Sequence, residues 1–155
     1  MKRVMQTLVM IFTLLGAAVP AIAGEAPAKI DVSAAWIRAT PPVAKVGAAY
    51  LTITSPTPDR LLGATTTAAE RVEIHATVDN NGVMQMRQQA DLAIVPGKPT
   101  VLAPGGAHLM LMNLRTTLVA DTTVAIVLKF ERAGEVTVAI PVLKDAPAAS
   151  HQGHH

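Results

Sequence analysis

Apolar residues along this chain alternate with polar ones in short runs, and clusters of proline, glycine and asparagine separate the runs. The clusters read SPTPD (55–59), DNNG (79–82), VPGKP (95–99), APGG (103–106) and RAG (132–134), each rich in residues that set the backbone for a turn. Between them the period-two pattern predicts strands near 30–37, 47–54, 71–78, 83–89, 91–95, 99–102, 107–113, 123–130 and 135–142. No long stretch carries a helical period, and TTTAAE (65–70) reads as a loop or a single turn. Strands this short and this closely spaced fit an all-β sandwich or barrel better than alternating β–α units. No internal repeat is evident.

Two of the predicted regions are unusual. In HLMLM (108–112), His108, Met110 and Met112 point to one side of the strand, and Leu109 and Leu111 to the other. The hairpin around DNNG has the same segregation. A four-residue loop there pairs Val78 with Val83, which sets His75 opposite Met86 and Thr77 opposite Met84. Ile74, Ala76 and Val78 then share the other face with Val83, Gln85 and Arg87. Apart from Met1, Met5 and Met10 near the N-terminus, every methionine lies on one of the two donor-bearing faces. So does every histidine outside the C-terminal tail.

A single histidine on a strand is ordinarily structural, and a methionine pair ordinarily fills a core. Core methionines, however, would mix with Leu and Val, and here those residues occupy the opposite face. The joint pattern points to a shared metal site of imidazole and thioether donors. Thioether sulfur is soft and uncharged and selects Cu(I). Zinc prefers thiolate or carboxylate beside histidine, and calcium and magnesium take oxygen. A thioether also forms no disulfide and lacks the charge of a thiolate, which suits a site that loads and unloads.

Composition narrows the function further. Lys2 and Arg3, the apolar run from Leu8 to Val19 and the small residues Ala21–Ala23 form the three regions of a secretory signal peptide. The expected organisation is a leader at 1–23 cleaved near Ala23/Gly24, a folded domain at 24–145 and a tail at 146–155. Without Lys2 and Arg3 the chain carries eleven charges of each sign, so it has no basic footprint for nucleic acid. It has no cysteine, which excludes disulfides, thiolate nucleophiles and the Cys-containing blue-copper centre. No Ser-His-Asp order, carboxylate pair near the histidines or phosphate loop suggests an enzyme or an organic substrate. Trp36 and Tyr50 read as packing residues, and Glu73 and Arg87 as solvated neighbours of the donors.

The run from His75 reads His, ten residues, Met86, twenty-one residues, His108, one residue, Met110. This H-x10-M-x21-H-x-M spacing resembles the signature of the PCuAC (DUF461) family of periplasmic copper chaperones. AAWIRATPPVAKVGAAYLTI (34–53), VEIHATV (72–78), VMQMR (83–87), PGGAHLMLMNL (104–114) and FERAGEVTVAIPV (130–142) are similar to that family too. The resemblance implies a cupredoxin-like Greek-key β-sandwich or barrel. It also implies one Cu(I) held by His75, Met86, His108 and Met110, with Met84 and Met112 as shielding or substitute ligands. As a function it implies periplasmic delivery of copper to cytochrome c oxidase assembly, with the oxidase copper subunit and a Sco-type thiol protein as partners. A storage or resistance protein that buffers copper is the alternative. His151, His154 and His155 in the tail are accessory candidates for Cu(II), which flexible imidazoles bind better than Cu(I) and release below about pH 6.5.

Overall fold

The computed structural model describes residues 29–147; the leader and most of the tail lie outside the described residues. Ten strands follow in order: β1 (Asp31–Arg38), β2 (Val46–Thr54), β3 (Asp59–Thr65), β4 (Ala69–Asn80), β5 (Val83–Gln89), β6 (Leu92–Ile94), β7 (Thr100–Leu102), β8 (His108–Leu114), β9 (Thr123–Phe130) and β10 (Glu135–Leu143). The described residues contain no helix. The strands run β4-β8-β2-β1-β10-β9-β3, and pairing of β3 with β4 closes them into a seven-stranded barrel. β5 extends the sheet from β4, β6 pairs with β3 and β7 with β2. Only β1 and β10 run parallel. The expected all-β, cupredoxin-like class holds, and strand closure removes most of the exposed edges that an open sheet would carry.

The barrel is filled by one aliphatic face from each strand. Ile37, Leu51, Ile53, Leu61, Leu109, Leu111, Ile126, Leu128, Ile140 and Val142 are all fully buried. Leu109 and Leu111 sit in this core as the alternation in HLMLM predicts, so the facing row of His108, Met110 and Met112 is turned away from it.

Two features differ from the sequence expectation. β3 lies in a stretch assigned to the SPTPD turn and the residues after it. Its first residue, Asp59, is buried, and its carboxylate accepts N–H bonds from Arg60 (2.7 Å), Arg132 (3.0 Å) and Ala133 (2.9 Å). A charged residue at the start of a strand hides the apolar alternation that follows. The second difference is the β4–β5 turn, which has two residues instead of four. Asn81 (φ 54°) and Gly82 (φ 82°) both take positive φ, as a type I′ hairpin turn requires, and Asn-Gly is the sequence best suited to it. The pairing therefore continues to Asn80 and Val83, and Thr77 faces Met86, Asp79 faces Met84 and His75 faces Gln88. The shift is by two residues, so every side chain keeps its expected face.

Candidate metal centre

β4 pairs with β8 so that His75 lies directly opposite His108, Glu73 opposite Met110 and Arg71 opposite Met112. The hairpin and the HLMLM strand, read separately in the sequence, are thus adjacent, and their donor faces form one surface. Its levels along the strands are about 7 Å apart. The two histidines occupy the central level, with ring centroids 5.9 Å apart. Met86, beside Thr77, is one level towards the hairpin turn, and Met110 one level the other way. Met84 and Met112 are each a further level out, about 14 Å along the strand from the histidine pair.

Hydrogen bonds fix which ring nitrogens are free. His108 is buried, and its Nδ1 lies 3.2 Å from the carbonyl oxygen of Gly106. A carbonyl only accepts, so Nδ1 carries the proton and Nε2 keeps the lone pair. His75 Nε2 lies 3.0 Å from Glu73 Oε2. That nitrogen carries the proton in turn, and Nδ1 is the free donor atom. Arg71 Nε donates to the other carboxylate oxygen of Glu73 at 2.8 Å. The bonds from His75 and Arg71 hold the Glu73 carboxyl below its usual range, although its partial burial opposes them. Glu73 therefore stays ionised and orients His75, a contact that the solvated-neighbour reading missed. Arg87 faces away from the donors, opposite Ala76, and donates to Gln85.

The sulfur atoms are more open than the imidazoles. Met86 is 49% exposed and Met84 66%, while Met110 and Met112 are half-buried. Thr77 Oγ1 lies 3.9 Å from Met86 Sδ and donates to the Gly105 carbonyl at 3.2 Å, tying β4 to the turn before β8. Met110 also borders an open groove of about 380 Å³ lined by Arg38, Pro41 and Val46. Among the described residues, no three side chains of the His, Cys, Asp and Glu types are placed to hold a metal ion, so a centre on this face has to draw on thioethers. His151, His154 and His155 lie outside the described residues.

A closed all-β barrel with an outer face of imidazoles and thioethers defines a cupredoxin-like domain with a soft-donor surface. The chain belongs to the LpqE-like family, described as "Putative lipoprotein LpqE-like", whose profile matches residues 30–142. It is 33% identical over 122 residues to "Putative lipoprotein Lxx21020" of Leifsonia xyli subsp. xyli (strain CTCB07), covering 78% of this chain and 73% of that protein. Among solved structures, it is similar to the apo PCuAC domain from PmoF1, with 29% identity, a TM-score of 0.64, and coverage of 77% of this chain and 95% of that one. It is also similar to the solution structure of CuI-DR1885 from Deinococcus radiodurans, with 30% identity, a TM-score of 0.61, and coverage of 81% and 84%.

Proposed function

We propose that this protein is an exported Cu(I) carrier, active in the periplasm, that binds one ion through His75, His108, Met86 and Met110. The observation that carries the reading is the direct pairing of His75 with His108, their rings 5.9 Å apart, between two thioether levels. The free lone pairs, His75 Nδ1 and His108 Nε2, supply two borderline donors, and Met86 and Met110 supply soft ones, the set that favours Cu(I) over harder ions. Copper in the Cu(I) form of the similar Deinococcus protein supports the same cargo. Met84 and Met112 stand too far along their strands to join both histidines on one ion, and serve as outer or substitute sulfurs. The tail histidines His151, His154 and His155 would form a separate Cu(II) site.

The site fits a carrier better than a store. Met86 is half in solvent and Met110 borders an open groove, so an acceptor can approach the ion past either sulfur. Uncharged ligands release copper to a thiolate-bearing partner, such as a Sco-type protein serving the copper subunit of cytochrome c oxidase. The test has two parts. In Cu(I) competition titrations, His108→Ala and Met110→Ala should each weaken binding about tenfold or more, which corresponds to about 1.4 kcal/mol or more. Unchanged affinity in both variants refutes the site. The Cu(I)-loaded protein should also metallate an apo oxidase copper domain faster than chelated copper does. Tight binding without transfer favours the storage alternative.

A further inference from the structure

Trp36 and Tyr50 are the single tryptophan and the single tyrosine of the chain. Both are buried, yet neither belongs to the apolar cluster that fills the barrel. They lie on the donor face. Trp36 pairs with Tyr50 across β1 and β2, with ring centroids 4.6 Å apart. The Tyr50 ring is 6.1 Å from the His108 ring and tilted by 50°, and His108 is in turn 5.9 Å from His75. At the outer end the Arg38 guanidinium stands 5.6 Å above the centre of the Trp36 ring. The result is a continuous row of ring contacts that runs from Arg38 to the proposed ligands.

A backbone irregularity builds this row. Up to Ser33 the pairing of β1 with β2 sets Asp31 against Thr54 and Ser33 against Thr52. Continued in that register, Ala35 would face Tyr50 and Trp36 would turn into the barrel. The register shifts between Ser33 and Trp36 instead, and Ala34 adopts φ 48°, a conformation that L residues with a Cβ rarely take. The bulge carries one extra residue, which turns Trp36 outwards and Ile37 inwards, where it is fully buried. Strain kept at one position to aim one side chain is a sign of a functional constraint.

We propose that Trp36 and Tyr50 are positioning residues for His108. The carbonyl of Gly106 fixes the tautomer of His108, but one hydrogen bond leaves the ring free to pivot. The Tyr50 ring, 6.1 Å away and tilted by 50°, closes off that pivot, Trp36 backs Tyr50, and Arg38 covers Trp36 through a cation–π contact. His108 Nε2 is thereby aimed before copper arrives, so binding loses less side-chain freedom. This inference rests on the copper-carrier reading, and its test separates the two.

The test compares Tyr50→Phe, which keeps the ring, with Tyr50→Leu, which removes it, and reads two quantities. The first is the Cu(I) affinity by competition. The second is the imidazole ¹⁵N spectrum of His108 in the apo-protein, together with contacts between its ring and that of residue 50. The expected result is that Tyr50→Phe stays within about threefold of the parent affinity, while Tyr50→Leu loses about tenfold and its His108 ring becomes mobile. Trp36→Leu should shift both quantities in the same direction by a smaller amount. A folded Tyr50→Leu protein with unchanged affinity and an unchanged His108 spectrum overturns the proposal. Should Tyr50→Leu fail to fold, the unsubstituted apo-protein decides: a freely reorienting His108 ring without persistent Tyr50 contacts overturns it, and a fixed ring with those contacts supports it. If the parent protein binds no Cu(I), the carrier reading falls, whereas the apo spectra still judge the positioning.

Discussion

At the scale of single residues, the side chains proposed as donors stand out because their chemistry is rare and their positions are periodic. Imidazole and thioether side chains on strand faces opposite Leu and Ile announce themselves in the sequence. The residues that orient those donors were not legible. Glu73 and His75 sit two apart on a strand face, which in the sequence looks like any solvated pair. Only the pairing of β4 with β8 and the placement of Arg71 turn Glu73 into an ionised acceptor for His75 Nε2. Trp36 was hidden for another reason: a bulge changes strand parity, and nothing in DVSAAWIR announces one. The value of Glu73 is measurable. Glu73→Ala frees the tautomer and rotamer of His75 while leaving all four proposed ligands in place. Its Cu(I) affinity should fall about 10- to 100-fold, the usual effect of losing a group that orients a metal-binding histidine. Competition titration checks the affinity, and a circular-dichroism spectrum matching the parent's separates this effect from loss of fold.

At the scale of elements, strand existence was read more securely than strand pairing. The β4–β5 turn shows why. DNNG is compatible with more than one loop length, and the choice of Asn81-Gly82 depends on the backbone reaching positive φ twice in succession. The error was an even number of residues, so the donor face survived; an odd slip would have put Met84 and Met86 on the face opposite His75. Gly82→Val places a β-branched side chain at φ 82° and should destabilise the hairpin by about 1–3 kcal/mol, read as a lower denaturation midpoint. Gly47 in β2 tests packing between elements. A Cβ added there would come within 2.6 Å of Leu118 Cδ1, and Leu118 is itself fully buried. Gly47→Ala should therefore cost about 1–3 kcal/mol through overpacking. If Gly47→Ala unfolds at the parent midpoint, the packing of Leu118 under β2 is wrongly described.

At the scale of the whole molecule, two carboxylates couple the fold to pH. Burial raises the Asp59 carboxyl, but backbone N–H bonds from Arg132, Arg60 and Ala133 and the charge of Arg132 outweigh it, and the net direction is down. Glu73 is lowered by His75 and Arg71. A carboxyl depressed in the folded state binds its proton more readily when unfolded, so each contributes stability above its unfolded value, about 3.9 for Asp and 4.3 for Glu. That contribution disappears as pH falls through the lower folded values. The apo-protein should accordingly show no carboxylate-linked loss of stability between about pH 7 and pH 5, and a progressive loss below about pH 4. Asp59 joins the start of β3 to the turn between β9 and β10, so Asp59→Asn weakens a junction between distant parts of the chain. That variant should be less stable at neutral pH by about 1–3 kcal/mol and should lose less on acidification than the parent. Denaturant unfolding of both proteins across pH 2 to 7 checks the signs. Parallel stability curves would mean that Asp59 carries none of the acid sensitivity, and a parent that gains stability below about pH 4 would reverse the linkage.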